Sequence, residues 1–353
     1  DHLMMFKDVP EAQAFVQIMG DYASATKTLS TYVTGFMRDL RSTGRFHPSF
    51  WFFAGNKDEG EGGTNTGRLS CKNPAFQTLP KHTKWAKRLR KCYIAPPGYV
   101  VMERDYSQGE LRVVACIANE ANMIEAYRKG MDLHAVTSGR FAGFSYEEMM
   151  ALKKTDKDRY DAIRQLGKAG NFGLLYGMGA EGFLAYAILN YGVKDLTIET
   201  AAAFREGFFD TYPGLTTYHE TYKNLARRHG CVYGPLGRVR HLPLINSKNK
   251  MERSKAERQA INSPVQGCLS DMLLWTMAEE DKAGLSTIAP GFGACHDAGY
   301  NYVPEDEVDI LVPQHLEIME NLPFHKVGWI PQLKFVADAK IGPNMAELKE
   351  WKH

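Results

Sequence analysis

A chain of 353 residues with 44% hydrophobic and 24% charged side chains is long enough for two or three compact units and too apolar to stay disordered. It has no apolar run of membrane-spanning length, no signal-peptide pattern, no C-x-x-C pair and no cysteine spacing of a disulfide framework, which argues against a membrane span, a zinc site and a secreted scaffold. A formal net charge of only +2 gives no global attraction to nucleic acid, so such a partner would have to be held by local clusters of cations.

Taken in chain order, Phe15, Ile18, Met19, Tyr22, Leu29, Tyr32, Val33, Phe36 and Leu40 recur at three- and four-residue steps and predict helix over about 11–41. Gly55 to Gly63 reads as a loop by composition. Lys81 to Lys91 is strongly basic, and Arg227, Arg228, His229, Arg238 and Arg240 form a second basic group. The plain reading of such runs is a solvated face; the other is a set of phosphate contacts. Val100-Val101-Met102 predicts a strand leading into Asp105, and Leu111 to Ile117 the start of a helix. The stretch from 120 to 230 is mostly helical in pattern, with turns expected at Pro213-Gly214 and Gly234-Pro235-Leu236-Gly237. Residues 252 to 283 predict one long helix interrupted near Pro264, and Gly291 to Val303 a β-hairpin turning near Ala298-Gly299.

Three segments carry the chemistry. Asp105-Tyr106-Ser107-Gln108-Gly109-Glu110-Leu111-Arg112 and His296-Asp297-Ala298 each place an aspartate at the edge of a strand-like run. Alone, such an aspartate is more often a cap or turn residue. Two of them converging on one sheet are what a pair of divalent metals needs for phosphoryl transfer. Between them, Arg164, Lys168 and Phe172 stand four residues apart. Each step of four advances only about 40° around a helix, so the three line one stripe. A solvated cationic face would not ordinarily include the phenylalanine. Arg258, Asn262 and Gln266 repeat the same spacing on the long helix.

Together these segments resemble motifs A, B and C of the family A DNA polymerases, the bacterial DNA polymerase I group with its phage and organellar relatives. The resemblance spans roughly residues 25 to 353 and rests on six motifs in family order. It implies an α+β right-hand polymerase fold with an antiparallel-sheet palm, helical fingers and a partial thumb. The corresponding division is 1–45 thumb remnant, 46–119 and 256–353 palm, and 120–255 fingers. It further implies template-directed addition of dNTPs to a primer 3′ end. Asp105, Asp297 and Lys168 would be catalytic, and Asp105, Asp297 and Tyr106 would hold two Mg²⁺, with Mn²⁺ as a substitute. Arg164, Lys168 and His134 would bind the triphosphate, and Phe172 and Tyr176 would lie by the sugar and the bases. Gln108 belongs to the same nucleotide site, and Glu110 would exclude a ribose 2′-hydroxyl. Arg68, Arg258, Asn262, Gln266 and His296 would contact primer–template DNA.

The chain departs from the family pattern at three places. Ala298 stands where a glutamate is usual, so Ala298→Glu is expected to raise the extension rate. Gly109 stands where a large aliphatic residue is usual, so Gly109→Ile is expected to tighten the pocket and reduce misincorporation. No acidic exonuclease constellation is visible, so no proofreading is expected, and an upstream exonuclease or thumb segment or a processivity factor would be a further partner. A cytoplasmic setting in a bacterium or phage-infected host fits, as does an organellar one. Two other readings stay open: a primer–template binding module without activity, and a polymerase that uses ribonucleotides.

Overall fold

The computed structural model describes residues 9–40, 44–52, 64–81, 83–193 and 196–352. The loop expected at 55–63 lies outside them, as does His82. In chain order, α1 (Pro10–Lys27) continues through one π-helical segment (Thr28–Val33) into α2 (Thr34–Asp39). Strands β1 (Ser49–Trp51) and β2 (Ser70–Lys72), α3 (Ala86–Arg90), β3 (Tyr99–Tyr106) and α4 (Gly109–Ile117) follow. Then come α5 (Ala121–Arg128), α6 (Leu133–Ala142), α7 (Tyr146–Thr155), α8 (Lys157–Gly173), α9 (Ala180–Tyr191), α10 (Ile198–Thr211) and α11 (Pro213–His229). The chain closes with β4 (Cys231–Tyr233), β5 (Val239–His241), α12 (Lys250–Lys282), α13 (Leu285–Ile288), β6 (Gly291–Cys295), β7 (Ala298–Pro304), α14 (Val308–Glu320), β8 (Ala337–Gly342) and β9 (Lys349–Glu350).

These elements form two compact units, dividing between Gly109 and Glu110 and again between Val265 and Gln266. The helical unit holds 110–265 and 329–333. The sheet unit holds the described residues up to 109, with 266–328 and 334–353. The scheme of thumb, palm and fingers read from the sequence sets its boundaries elsewhere, at 45, 119 and 255.

The sheet unit is built on an antiparallel sheet of order β6-β7-β3-β8-β9. Along β3 the side chains alternate, so Val101, Glu103 and Asp105 share one face and Met102, Arg104 and Tyr106 the other. Val101 joins a cluster with Phe76, Tyr93, Phe36 and Tyr300, and Met102 joins one with Val303, Leu311 and Val312. Both faces are thus covered by apolar side chains, which is why the run Val100 to Met102 reads as continuously apolar.

In the helical unit, α6 and α8 come into close contact at Gly167. A Cβ there would lie 2.2 Å from the His134 carbonyl oxygen, so only glycine lets the two helices approach this far. Short side chains on the preceding residues fix the helix starts: Asp132 caps α6 through the His134 amide, and Asp156 caps α8 through the Arg159 amide.

Three sequence expectations change. Helix α12 runs unbroken through Pro264. The proline removes one ladder bond, but Ala260, Ile261 and Val265 are fully buried around it and the Tyr218 hydroxyl donates to the Ile261 carbonyl at 2.7 Å. Packing therefore outweighs the lost hydrogen bond. The Pro213-Gly214 turn is instead the start of α11, with proline at its first position, where a missing N–H costs nothing. Of the apolar periodic residues on α1 and its continuation only Tyr32 and Phe36 are buried, together with Val16 from outside that set, whereas Phe15, Ile18 and Tyr22 are exposed. Periodicity defines a face but not what covers it. Among the described residues, no helix is long and apolar enough to cross a membrane.

Candidate nucleotidyl-transfer site

In the sheet unit, both predicted carboxylates stand at one end of neighbouring strands. Arg104 on β3 pairs with Gly299 on β7, and Cys295 on β6 pairs with Ala298. Asp105 therefore lies one residue beyond that register, and His296 and Asp297 are themselves the two-residue turn of the hairpin. The turn centre precedes the expected Ala298-Gly299. The reason is the backbone of His296, whose φ of +58° turns the chain there without glycine.

Asp105 is held by the residues that flank it. Arg104 donates to Glu280 at 2.6 Å and to Asn301 at 3.1 Å, and the Tyr106 hydroxyl donates to the Met319 carbonyl at 2.9 Å. Both anchors point to the far face, leaving Asp105 on the face of Glu103. Burial, followed by the Glu103 carboxylate, pushes Asp105 up to about 6. Burial would raise Glu103 as well, but the Tyr300 hydroxyl at 2.5 Å and the cations Lys81, Lys340 and Arg90 outweigh it and hold Glu103 below the usual carboxylate range. The sequence motifs do not single out Glu103, although its place two residues before Asp105 on a strand is a signal.

Asp297 accepts from Arg68 Nη2 at 3.2 Å. The Arg68 segment is fixed by Leu69, which packs with Leu273 and Ala294, and by Ser270 Oγ, which donates to the Gly67 carbonyl at 2.8 Å. The structure thus brings a predicted DNA contact and a predicted metal ligand into one ion pair, which no sequence spacing could announce.

The donor set fits a hard divalent cation that shares its coordination with a substrate. Among the described residues no three His, Cys, Asp or Glu side chains gather to hold an ion by themselves. Two carboxylates at one sheet end suit Mg²⁺, which commonly takes one or two carboxylates with phosphate oxygens. The Tyr106 hydroxyl is committed to Met319, so any part of Tyr106 in metal binding falls to its main-chain carbonyl.

The two departures from the family pattern acquire a structural setting here. A Cβ on Gly109 would stand 2.7 Å from Leu269 Cδ1 and 3.0 Å from Tyr106 Cβ. The space is already filled, so the expected gain in fidelity from Gly109→Ile does not follow. Ala298 is buried and belongs to the cluster of Phe76 and Tyr300. A glutamate at 298 would put a carboxylate among rings, so the expected faster extension by Ala298→Glu does not follow either. Gln108 sits in the turn between β3 and α4 with φ of +52°.

In the helical unit, Arg164, Lys168 and Phe172 do line one side of α8, each half-buried. Arg164 Nε donates to Asp132 at 2.6 Å, which orients its guanidinium. Lys168 lies over the Tyr191 ring at 5.8 Å and has no carboxylate partner among the described residues. His134 is buried against Phe172, with ring centroids 5.7 Å apart. Burial, then Arg164, and then Lys168 against the opposing Asp132, push the His134 imidazole down to about 4, so it is neutral at pH 7. Tyr176 lies three residues past the end of α8 and its hydroxyl donates to the Glu110 carboxylate. Asp132, Asn171 and Tyr191 are the partners that the sequence reading missed; only the capping position of Asp132 signalled a role.

On α12, Arg258 donates to Ser254 Oγ at 2.8 Å, and Asn262 Oδ1 is buried with no hydrogen-bond partner among the described residues. These two belong to the helical unit and Gln266 to the sheet unit.

The sequence model of DNA polymerase family A matches residues 3–347. The chain belongs to DNA polymerase family A. The match starts earlier than the residue 25 suggested by the motifs, because helix α1 carries no motif of its own. Among curated family A relatives, the thermostable DNA polymerase I of Thermus thermophilus is 30% identical over 96% of this chain and 37% of its own length. The DNA polymerase I of Lactococcus lactis subsp. lactis is 33% identical over 89% of this chain and 33% of its own length. The chain thus spans about a third of these relatives. The fold is similar to the POL domain of Pol1 from M. smegmatis, solved in complex with DNA primer–template and dNTP. The TM-score is 0.82 and the identity 28%, over 99% of this chain and 56% of that one.

Proposed function

We propose that the chain extends a primer 3′ end with dNTPs under direction of a DNA template. The observation that carries this is the placement of Asp105 and Asp297 at one end of adjacent strands, within a family A fold. The sheet unit supplies the two carboxylates and, through Arg68 and His296, contacts for the primer terminus. The helical unit supplies Arg164, Lys168 and His134 for the triphosphate, Phe172 and Tyr176 for the sugar and bases, and Glu110 for exclusion of a 2′-hydroxyl. Arg258, Asn262 and Gln266 serve the duplex. Bound at Asp105 and Asp297, Mg²⁺ would activate the primer 3′-hydroxyl and stabilise the departing pyrophosphate. The chain's own cations neutralise charge on the triphosphate, and its half-buried aromatics exclude water from the sugar. No residue in this reading serves excision. Such work belongs to a cell compartment that holds DNA.

Primer extension on a primed DNA template with Mg²⁺ tests the reading. Wild type should extend with dNTPs and not with rNTPs. Asp105→Asn and Asp297→Asn should each lose at least about a thousandfold in rate while still binding primer–template. A mismatched primer incubated without dNTPs should keep its length. Binding without extension by wild type would instead assign a primer–template binding module, and equal use of rNTPs a ribonucleotide polymerase.

A further inference from the structure

Behind His134 lies a closed chain of polar groups that none of the motifs explains. Asn171 is fully buried on α8 and its amide nitrogen lies 3.0 Å from His134 Nδ1. Asn171 Oδ1 lies 2.9 Å from Thr137 Oγ1, which in turn lies 2.8 Å from the Tyr212 hydroxyl and 2.8 Å from the Leu133 carbonyl. Thr137 and Tyr212 are buried as well. The hydrogen bond described for the imidazole is made at Nδ1. The close approach of α6 and α8 at Gly167 sets these distances.

We infer that Asn171 is a positioning residue for nucleotide binding: its amide donates to His134 Nδ1 and so presents the imidazole with a proton on Nε2. The assignment follows from how the amide is turned. Its oxygen faces Thr137 and its nitrogen faces Nδ1, so it offers the imidazole only its N–H groups. The one Thr137 proton is shared between Asn171 Oδ1 and the Leu133 carbonyl, and its bond to Asn171 holds the amide this way round. An Nδ1 that accepts leaves Nε2 as the donor. The reverse amide orientation would make Nε2 an acceptor, and an acceptor repels the phosphate oxygens that Arg164 and Lys168 attract. A buried, neutral donor adds a directional hydrogen bond beside two diffuse positive charges, which suits the triphosphate of a dNTP. The inference rests on the proposed polymerase function for the identity of the ligand, but the tautomer itself does not depend on it.

The test is the tautomer of His134 in the full chain. Protein labelled with ¹⁵N at histidine is studied by long-range ¹H–¹⁵N correlation at pH 7, and the His134 signal is identified by its loss in His134→Gln. An Nε2–H tautomer for His134 is expected, and an Nδ1–H tautomer overturns the inference whatever the enzyme does. Asn171→Leu should let His134 sample both tautomers and should raise KM for dNTP about tenfold, the effect of one lost oriented hydrogen bond, with kcat changed less than KM. Thr137→Val should act in the same direction and more weakly. Far-ultraviolet circular dichroism and thermal unfolding of each variant report whether it has folded. A folded Asn171→Leu with an unchanged tautomer, or with unchanged KM, also overturns the inference. Absence of extension by wild type would count against the polymerase function alone, because the tautomer is read without it.

Discussion

At the scale of single residues, this protein keeps several ionisable groups buried or half-buried, and each has a consequence for pH. His219 donates from Nε2 to the Leu175 carbonyl at 2.8 Å, yet its burial outweighs that bond and pushes the imidazole from 6.5 down to about 4. A histidine that binds its proton less readily when folded favours the native state above its unfolded value. That contribution is lost as pH falls from about 6.5 toward 4. Urea unfolding should therefore show about 2 kcal/mol less stability at pH 5 than at pH 7.5 from this group alone. His219→Gln should shrink the difference by that amount, and an unchanged difference would show that His219 does not carry it. Asp105 has the opposite sense. Its carboxyl is held up to about 6, so it opposes folding at neutral pH and the strain eases on mild acidification. The residues proposed to bear chemistry were legible in the sequence because a strand edge or a helical stripe constrains their spacing. Their partners were not. Glu103, Asp132, Asn171 and the Arg68 ion pair with Asp297 are fixed by tertiary packing, which joins residues as far apart as Arg68 and Asp297, 229 positions, or Glu103 and Lys340, 237.

At the scale of elements, the start of α4 meets the second half of α12. The Gly109 position fits because Leu269 fills the volume that a side chain would take. Gly109→Ile should destabilise by about 1–3 kcal/mol through overpacking. Leu269→Ala alone should also cost stability by leaving a cavity. The double variant should recover part of both losses, giving a coupling energy of about 1 kcal/mol or more in denaturant unfolding. Strictly additive losses would mean that the two side chains do not share one space. The elements themselves were mostly readable: the strand into Asp105, the hairpin near Asp297 and the long helix all occur where the patterns put them. The misreadings are local. A proline inside a helix reads as a break, although burial on both sides of it holds the helix together. The hairpin turn reads too late, because an αL histidine does the work usually given to glycine.

At the scale of the whole molecule, a net charge of +2 leaves binding of a polyanion to a few clusters. Within Lys81 to Lys91, Arg90 pairs with Glu103 and Lys91 with Glu347, whereas Lys84, Lys87 and Arg88 face outward. Lys84 and Arg88 flank the Trp85 ring at 5.4 and 5.6 Å, which keeps their stems ordered. Affinity for primer–template should fall steeply with salt. Replacing Lys84, Lys87 and Arg88 with glutamine should reduce the slope of log affinity against log salt by about 2–3, near 0.9 for each phosphate no longer neutralised. An unaltered slope would make that face a solvated one. The ring cluster behind the hairpin has a different use. Phe292 stacks on Tyr302 at 4.2 Å, and Tyr300 meets Phe76 edge-on at 5.6 Å, all beside the strands that carry His296 and Asp297. Fixed, asymmetric rings absorb circularly polarised near-ultraviolet light unequally, and mobile ones do not. The protein therefore carries its own optical gauge of whether the strand ends that hold its carboxylates are in order, and on warming that signal should fade in step with extension.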